Sequence, residues 1–272
     1  MDTKITHVAL GMEEMALSLS LVGKADIGKE IINGIYPNVS AERMDGLLTS
    51  ASHSLLARGL AEVENGQARV TAEMAHILDP FVNYQFLVTL SLGVGKEQIN
   101  ALIRCQENGS FTSHFVRSGL VHVLENGTQD ELVQFLFSPL QSFILPNPAD
   151  PVSLPINMSS IGKALEATAK KEAVMDLFAS SGWEEKYIRE LGADFEQSTA
   201  RASIVRADIN SQMDASIKTS VKTASILLVC SQARSWIMVF ADGSETATGV
   251  LQRTTGEGLL AAIKKMIAAP AV

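Results

Sequence analysis

A chain of 272 residues, 46% of them hydrophobic, is long enough to bury about three-quarters of its extended surface, so no disulfide framework or structural metal is needed to hold it folded. Its formal net charge of −8 repels phosphate backbones on average and makes nucleic-acid binding depend on a local basic patch. The two cysteines, Cys105 and Cys230, lie far apart in apolar runs and read as reduced core residues. No stretch approaches the ~18 apolar residues of a membrane span, and the first residues lack a charged segment followed by an apolar one, so a cytoplasmic protein is expected.

Residues 13–82 predict helices with one short hairpin among them. From Ser40, a plausible N-cap after Pro37, the positions Met44, Leu47, Leu48, Ala51 and Leu55 follow the stripe of a core-facing helix. Arg58 to Val70 predicts two short strands around an Asn65-Gly66 turn. Met74, Ile77, Leu78 and Phe81 mark the next helix. Helix, helix and two-stranded wing is the outline of a winged helix.

The period changes over residues 85–127. Gln85–Leu92, Leu102–Cys105, Phe111–Val116 and Leu120–Leu124 alternate, with turns at Gly93–Gly95, Asn108-Gly109 and Ser118-Gly119, which predicts an antiparallel meander. Thr128-Gln-Asp-Glu131 reads as a capping box opening a helix with Leu132, Leu136 and Leu140 on its stripe. The Pro-rich stretch Pro146–Pro155 reads as a boundary. Beyond it a helical region is expected to about residue 214, with Ile188, Leu191, Phe195, Ala202, Val205 and Ile209 on one face. Strands return at Ser225–Cys230, Trp236–Phe240 and Thr248–Gln252, the latter two joined at Asp242-Gly243. Thr254-Thr-Gly-Glu257 reads as a second capping box before a closing helix with Leu259, Leu260, Ile263 and Ile267.

The halves 1–145 and 146–272 thus repeat one plan of helices, antiparallel meander, Thr-x-x-Glu box and closing helix. Val123-Leu124 precede the first box much as Val250-Leu251 precede the second. An antiparallel meander must cover one face with apolar side chains. The expected fold is α+β, with two pseudo-symmetric halves forming one pseudo-two-fold unit and a winged-helix-like N-terminal region.

No motif points to chemistry. The histidines His7, His53, His76, His114 and His122 form no HxH, HExxH or Cys/His cluster; His114 and His122 fall on neighbouring strands and face each other across a hairpin. There is no GxSxG, and no SxxK with a partner motif. Glu13-Glu14 and Glu184-Glu185 sit at helix starts, where they complement the helix dipole. Gly93-Val-Gly95-Lys96 lacks the rest of a phosphate loop, and Gly256-Glu-Gly258 is followed by too little chain for a dinucleotide fold. No catalytic, cofactor-binding or metal-binding residue is therefore assigned. Arg43, His53, Arg58 and Arg69 are the cations a DNA-binding winged helix would offer, and Glu42, Asp45, Glu62 and Glu64 stand beside them.

Glu42-Arg43, the run Ser54-Leu-Leu-Ala-Arg-Gly-Leu60, the Asn65-Gly66 turn and a helix ending near Leu78-Asp-Pro80 resemble the N-terminal region of the EspG family, cytosolic chaperones of the ESX, or type VII, secretion system. Leu136–Leu140, the Pro-rich turn and Val152-Ser-Leu-Pro155 resemble that family's connection between halves. The chain reads as a divergent member, without the Arg- and Ala-rich bias of actinobacterial relatives. The resemblance implies a non-enzymatic chaperone for a helical PE–PPE-like secretion substrate, covering an apolar tip on the PPE subunit. No motif carries partner-binding residues across; Gly93–Gln98 and the segment between Gly182 and Asn210 are the places to look. No small-molecule substrate is implied, and the apolar residues of the last helix serve equally as core or as a dimer face. The alternative is a winged-helix transcriptional regulator.

Overall fold

The computed structural model describes residues 7–117, 119–146, 152–161, 171–209, 222–241 and 247–268. Two compact units emerge: residues 1–84 with 102–128, and residues 85–101 with 129–272. Every strand pairing within them is antiparallel, and helices accompany each sheet, so the fold is α+β.

The first unit opens with β1 (His7–Gly11), α1 (Met12–Leu21), α2 (Ala25–Ile35) and α3 (Ala41–Ala57), then β2 (Ala61–Glu64), β3 (Gln67–Val70) and α4 (Ala72–Val82). The Ser40 hydroxyl accepts the Arg43 N–H at 3.3 Å and starts α3, as a serine N-cap should. Asn65 and Gly66 both take positive φ, 53° and 79°; this is the turn that matches the twist of a tight hairpin, and Ala61 duly pairs with Val70. The strands β4 (Phe86–Val94) and β5 (Glu97–Cys105) follow, then β6 (Phe111–Arg117) and β7 (Val121–Gly127). In this unit the sheet runs β1-β7-β6-β5. Its core joins Val8, Leu10, Met15, Leu19, Leu55, Met74, Ile77, Leu78 and Leu124.

β1 has no counterpart in the sequence reading. Five residues offer only Val8 and Leu10 to one face, too short a run to display a period, yet they pair with β7 from His7↔Glu125 to Gly11↔Val121. The α3 stripe is only half used: Ala51 and Leu55 are buried, whereas Met44, Leu47 and Leu48 remain partly open.

The second unit contains β4, which pairs with β9 through nine registered positions from Phe86↔Asp208 to Val94↔Ala200. Its other elements are α5 (Gln129–Gln141), β8 (Ser153–Asn157), α6 (Lys171–Phe178), α7 (Glu185–Glu196), β9 (Ala200–Asp208), β10 (Lys222–Cys230), β11 (Ser235–Phe240), β12 (Thr248–Arg253) and α8 (Gly256–Ala268). The strand order is β4-β9-β10-β11-β12-β8. Trp236, Phe240, Phe195, Leu191 and Leu251 lie at the centre of the core.

Three expectations change here. The helical region expected to residue 214 ends at Glu196, and Ala200–Asp208 is a strand. Ala202, Val205 and Ile209 fit a helical stripe by spacing, but burial alternates through Ala200, Ala202, Ile204 and Arg206; the arginine on the buried side disguised the period of two. Residues 210–214 lie outside the described residues. The boundary expected at Pro146–Pro155 contains strand β8, whose Pro155 is compatible with an outer strand; residues 147–151 lie outside the described residues. The second capping box is shifted by one residue. α8 begins at Gly256, so the capping hydroxyl is that of Thr255, accepting the Gly258 N–H at 3.2 Å, and Glu257 is too early in the helix to reciprocate. The Asp242-Gly243 turn and Ser118 lie outside the described residues.

Candidate functional site

The acid at the start of α1 is tied into the first unit. Glu14 accepts the Gly11 N–H at 2.7 Å, the Ser54 hydroxyl at 2.6 Å and the Arg58 Nη1 group at 2.8 Å. Burial alone would push its carboxyl up, but the bonds from Ser54, Gly11 and Arg58 together hold it below its ordinary value. Arg58 also donates through Nη2 to the Ala9 carbonyl at 2.6 Å. The arginine that a winged helix would turn toward phosphates is engaged by Glu14 and the Ala9 carbonyl.

His114 on β6 and His122 on β7 meet as their strands suggest. His114 Nε2 and His122 Nδ1 are 2.9 Å apart, and the rings lie within 10° of parallel. Phe81 of α4 stands edge-on to His114 with ring centroids 5.4 Å apart, and the Arg104 guanidinium lies 3.8 Å from the centre of the Phe81 ring. Burial, then the neighbouring His122 and Arg104, lower His114 to about 4; burial lowers His122 as well. The pair is neutral near pH 7. The other three imidazoles are exposed, His7 paired with Glu125 at 3.2 Å. Among the described residues, no three His, Cys, Asp or Glu side chains come together to hold a metal.

In the second unit the least solvated carboxylate is also fully occupied. Asp194, 2% exposed, accepts the Ser231 hydroxyl at 2.7 Å on one oxygen, and Arg234 Nε at 2.7 Å and Trp236 Nε1 at 2.8 Å on the other. Arg206 caps α8 by donating to the carbonyls of Met266 and Ile267, and Arg253 pairs with Glu190. These networks join α7 to the β10–β11 turn, β11 and β12, and β9 to α8, across tens of residues that no local motif links, so sequence reasoning missed them. The Cys230 thiol, 0% exposed, is pushed up to about 11 by burial and cannot act as a nucleophile at neutral pH. Gly258 answers a packing need: a Cβ there would fall 2.6 Å from the Thr254 hydroxyl.

The two segments singled out as places to look differ in kind. Gly93–Gln98 forms the β4–β5 turn, with Gly95 at φ 59°; the following Glu97–Asn100 are exposed, and Ile99 is 52% exposed. Gly182–Asn210 supplies α7 and β9, which turn one face each to the core, through Ile188, Leu191 and Phe195 and through Ala202 and Ile204; Asn210 lies outside the described residues. Other open apolar side chains are Val63 on the β2–β3 hairpin and Val116, Leu120 and Val121 around the β6–β7 turn. An open cleft of about 520 Å³ between the end of α5 and the start of α8 is lined by Phe137, Ile144, Pro146 and Leu260.

On two outer strands part of the outward main chain is already occupied. On β1, the Ala9 carbonyl and Gly11 N–H that face away from the ladder are taken by Arg58 and Glu14. On β8, bonds from Arg253 N–H to the Val152 carbonyl and from Met158 N–H to the Ala247 carbonyl set the alternation, so Ser153, Pro155 and Asn157 face outward. Pro155 has no N–H to offer, and its carbonyl accepts the Trp183 indole N–H at 3.1 Å. Both devices take main-chain groups that a further strand would need, which disfavours strand addition there.

No protein-family model matches this sequence, and no curated protein matches it. The fold is similar to the solved structure of the Mycobacterium tuberculosis type VII secretion system chaperone EspG5 in complex with a PE25–PPE41 dimer, with a TM-score of 0.62 and 12% sequence identity. The likeness covers 97% of this chain and 97% of that one. No helix among the described residues is long and apolar enough to cross a membrane.

Proposed function

We propose that this chain is a non-catalytic, protein-binding chaperone or adaptor of EspG type, which holds a helical, PE–PPE-like secretion substrate in the cytoplasm before export. The observation that carries the reading is the end-to-end likeness to EspG5, 97% of both chains: the whole architecture is shared rather than one common motif. The halves 1–145 and 146–272 then serve as two repeats of one plan. Two further features support the reading. The Glu14, Asp194 and Arg253 side chains are engaged by internal partners and tie elements of each unit together, as a rigid binding scaffold needs. The most open apolar side chains, Val63, Ile99 and Leu120, cluster at hairpin ends, where a partner's apolar surface can reach them.

The winged-helix regulator is the weaker reading. Arg58 is engaged by Glu14 and Ala9, and Arg69 of the wing pairs with Glu64, which removes two of the cations a DNA site would use.

The test is an affinity pull-down from native-host cytosol with the tagged full chain, analysed by mass spectrometry. A small helical secretion substrate recovered in near-stoichiometric amount is the expected result. No such substrate, together with DNA retention that weakens steeply with salt, overturns the proposal.

A further inference from the structure

The histidine pair of the first unit lies under α4 in a setting unlike the other ionic groups. Glu14 and Asp194 are each surrounded by donors, whereas His114 and His122 have each other and a cation. Arg104 packs on Phe81, and its Nη1 is buried with no hydrogen-bond partner. Glu73 of α4 and Arg117 of β6 are exposed. On α4, His76 is exposed and Asp79 is bound to Asn83 at 2.7 Å and to Gln106 at 2.9 Å. Following α4, the Tyr84 ring stands 5.7 Å from Arg104. On α1, Glu13 accepts the Tyr36 hydroxyl and Glu14 is held by Arg58. On β7, Glu125 is three residues from His122, so its side chain leaves the opposite face of the sheet, where His7 meets it. On β1, the residue opposite His122 is Leu10. No carboxylate bonds to either imidazole or to Arg104 among the described residues.

We propose that His114 and His122 form an acid-released clasp that seats α4 on the sheet of the first unit. In the neutral pair one ring donates and the other accepts, and Phe81 packs edge-on against the bonded imidazole. A first proton preserves an N–H···N bond but adds a cation beside Arg104. A second proton leaves two donors facing each other at 2.9 Å with no acceptor between them. The least costly relief is for α4 to lift and admit water and counter-ions. Thr112, whose hydroxyl bonds the Ile77 carbonyl at 2.8 Å, would lose that bond in the same movement.

The sign follows from where the protons bind. With α4 seated, His114 resists protonation down to about 4; with α4 lifted, a solvated imidazole takes up a proton near 6.5. Closure is therefore fully favoured above pH 6.5 and weakens as pH falls toward 4. Each pH unit across that window multiplies the open population roughly tenfold for the proton that His114 takes up, and His122, also lowered by burial, acts in the same direction.

Two measurements on the full chain test the clasp: an NMR titration of the imidazole carbon-bound protons, and hydrogen exchange of peptides across Ile77–Phe81 from pH 7 to pH 4.5, corrected for intrinsic rates. The expected result is delayed titration of His114 and an exchange rate in α4 that rises by roughly ten- to a hundredfold, while peptides from β10 hold steady. His114→Leu with His122→Leu flattens the rise, and Asp79→Asn leaves it in place, which separates the imidazoles from the nearby carboxylate. Imidazoles that titrate at their ordinary value with α4 protection unchanged overturn the proposal. So does a double variant that opens in acid as the wild type does. If the double variant does not fold, the wild-type titration and exchange decide alone.

Discussion

Trp183 donates its indole N–H to the carbonyl of Pro155 at 3.1 Å while its ring stacks on Phe178 with centroids 4.7 Å apart. One side chain thus closes the outer rim of β8 and covers the end of α6. Trp183→Phe keeps the stack and removes the donor. The expected cost is about 1 kcal/mol, the usual net value of one hydrogen bond, read from urea unfolding. Combined with Pro155→Thr, which restores an outward N–H, the variant should gain concentration-dependent association in light scattering. Equal monodispersity of the double variant and the wild type would falsify the role given to this rim.

The Glu14–Arg58 pair spans 44 residues of sequence and joins the start of α1 to the end of α3. Arg58→Ala leaves a carboxylate that is 10% exposed without its cation and frees the Ala9 carbonyl. A loss of about 2–3 kcal/mol is expected, below the full cost of breaking a buried pair because Arg58 itself is partly solvated. The folded-state carboxyl lies below its ordinary value, so its contribution is present above the unfolded value and disappears as pH falls through the folded one. Arg58→Ala should therefore flatten stability over that acidic window. In the same preparation, DNA retention should not change.

Asp194→Asn tests the second unit. The amide keeps one oxygen but turns an NH₂ group toward hydroxyl, guanidinium or indole donors, so one or two buried donors lose their acceptor. About 2–4 kcal/mol of destabilisation is expected, and Trp236 emission should report the altered environment before global unfolding. Unchanged stability and emission would show that the three donors find other acceptors.

Gly28 sits where α2 crosses α1, and a Cβ there would lie 2.5 Å from the Ala16 carbonyl oxygen. Gly28→Ala gains helix propensity of about 1 kcal/mol yet must push the helices apart, at a typical overpacking cost of about 1–3 kcal/mol. A net loss is expected. Gly34→Ala, where nothing lies within 4 Å of the added carbon, is the paired control and should be neutral or stabilising. A Gly28→Ala protein as stable as the control would show that the crossing can widen freely.

Local chemistry made part of this fold legible. Asn65-Gly66, Ser40, the alternating runs of β4 and β6 and the apolar run of β10 each announce their geometry within a few residues. The reading failed where an inward-facing polar residue broke the pattern, as Arg206 does in β9, or where a strand was too short to have one, as in β1. Pro155 misled for a related reason: proline excludes a central strand, but the outer position of β8 leaves its nitrogen nothing to bond. The histidine pair was visible because two short strands separated by one turn fix their register. The Asp194 network was not, since its members come from α7, the β10–β11 turn and β11, and only the assembled core brings them together.

The occupied rims of β1 and β8 bear on how this fold meets other chains. Main-chain pairing is indifferent to side chains and so promiscuous; a protein that denies it must select its company by side-chain shape and polarity alone. Such positions sit outside the core and can be rewritten without disturbing the scaffold.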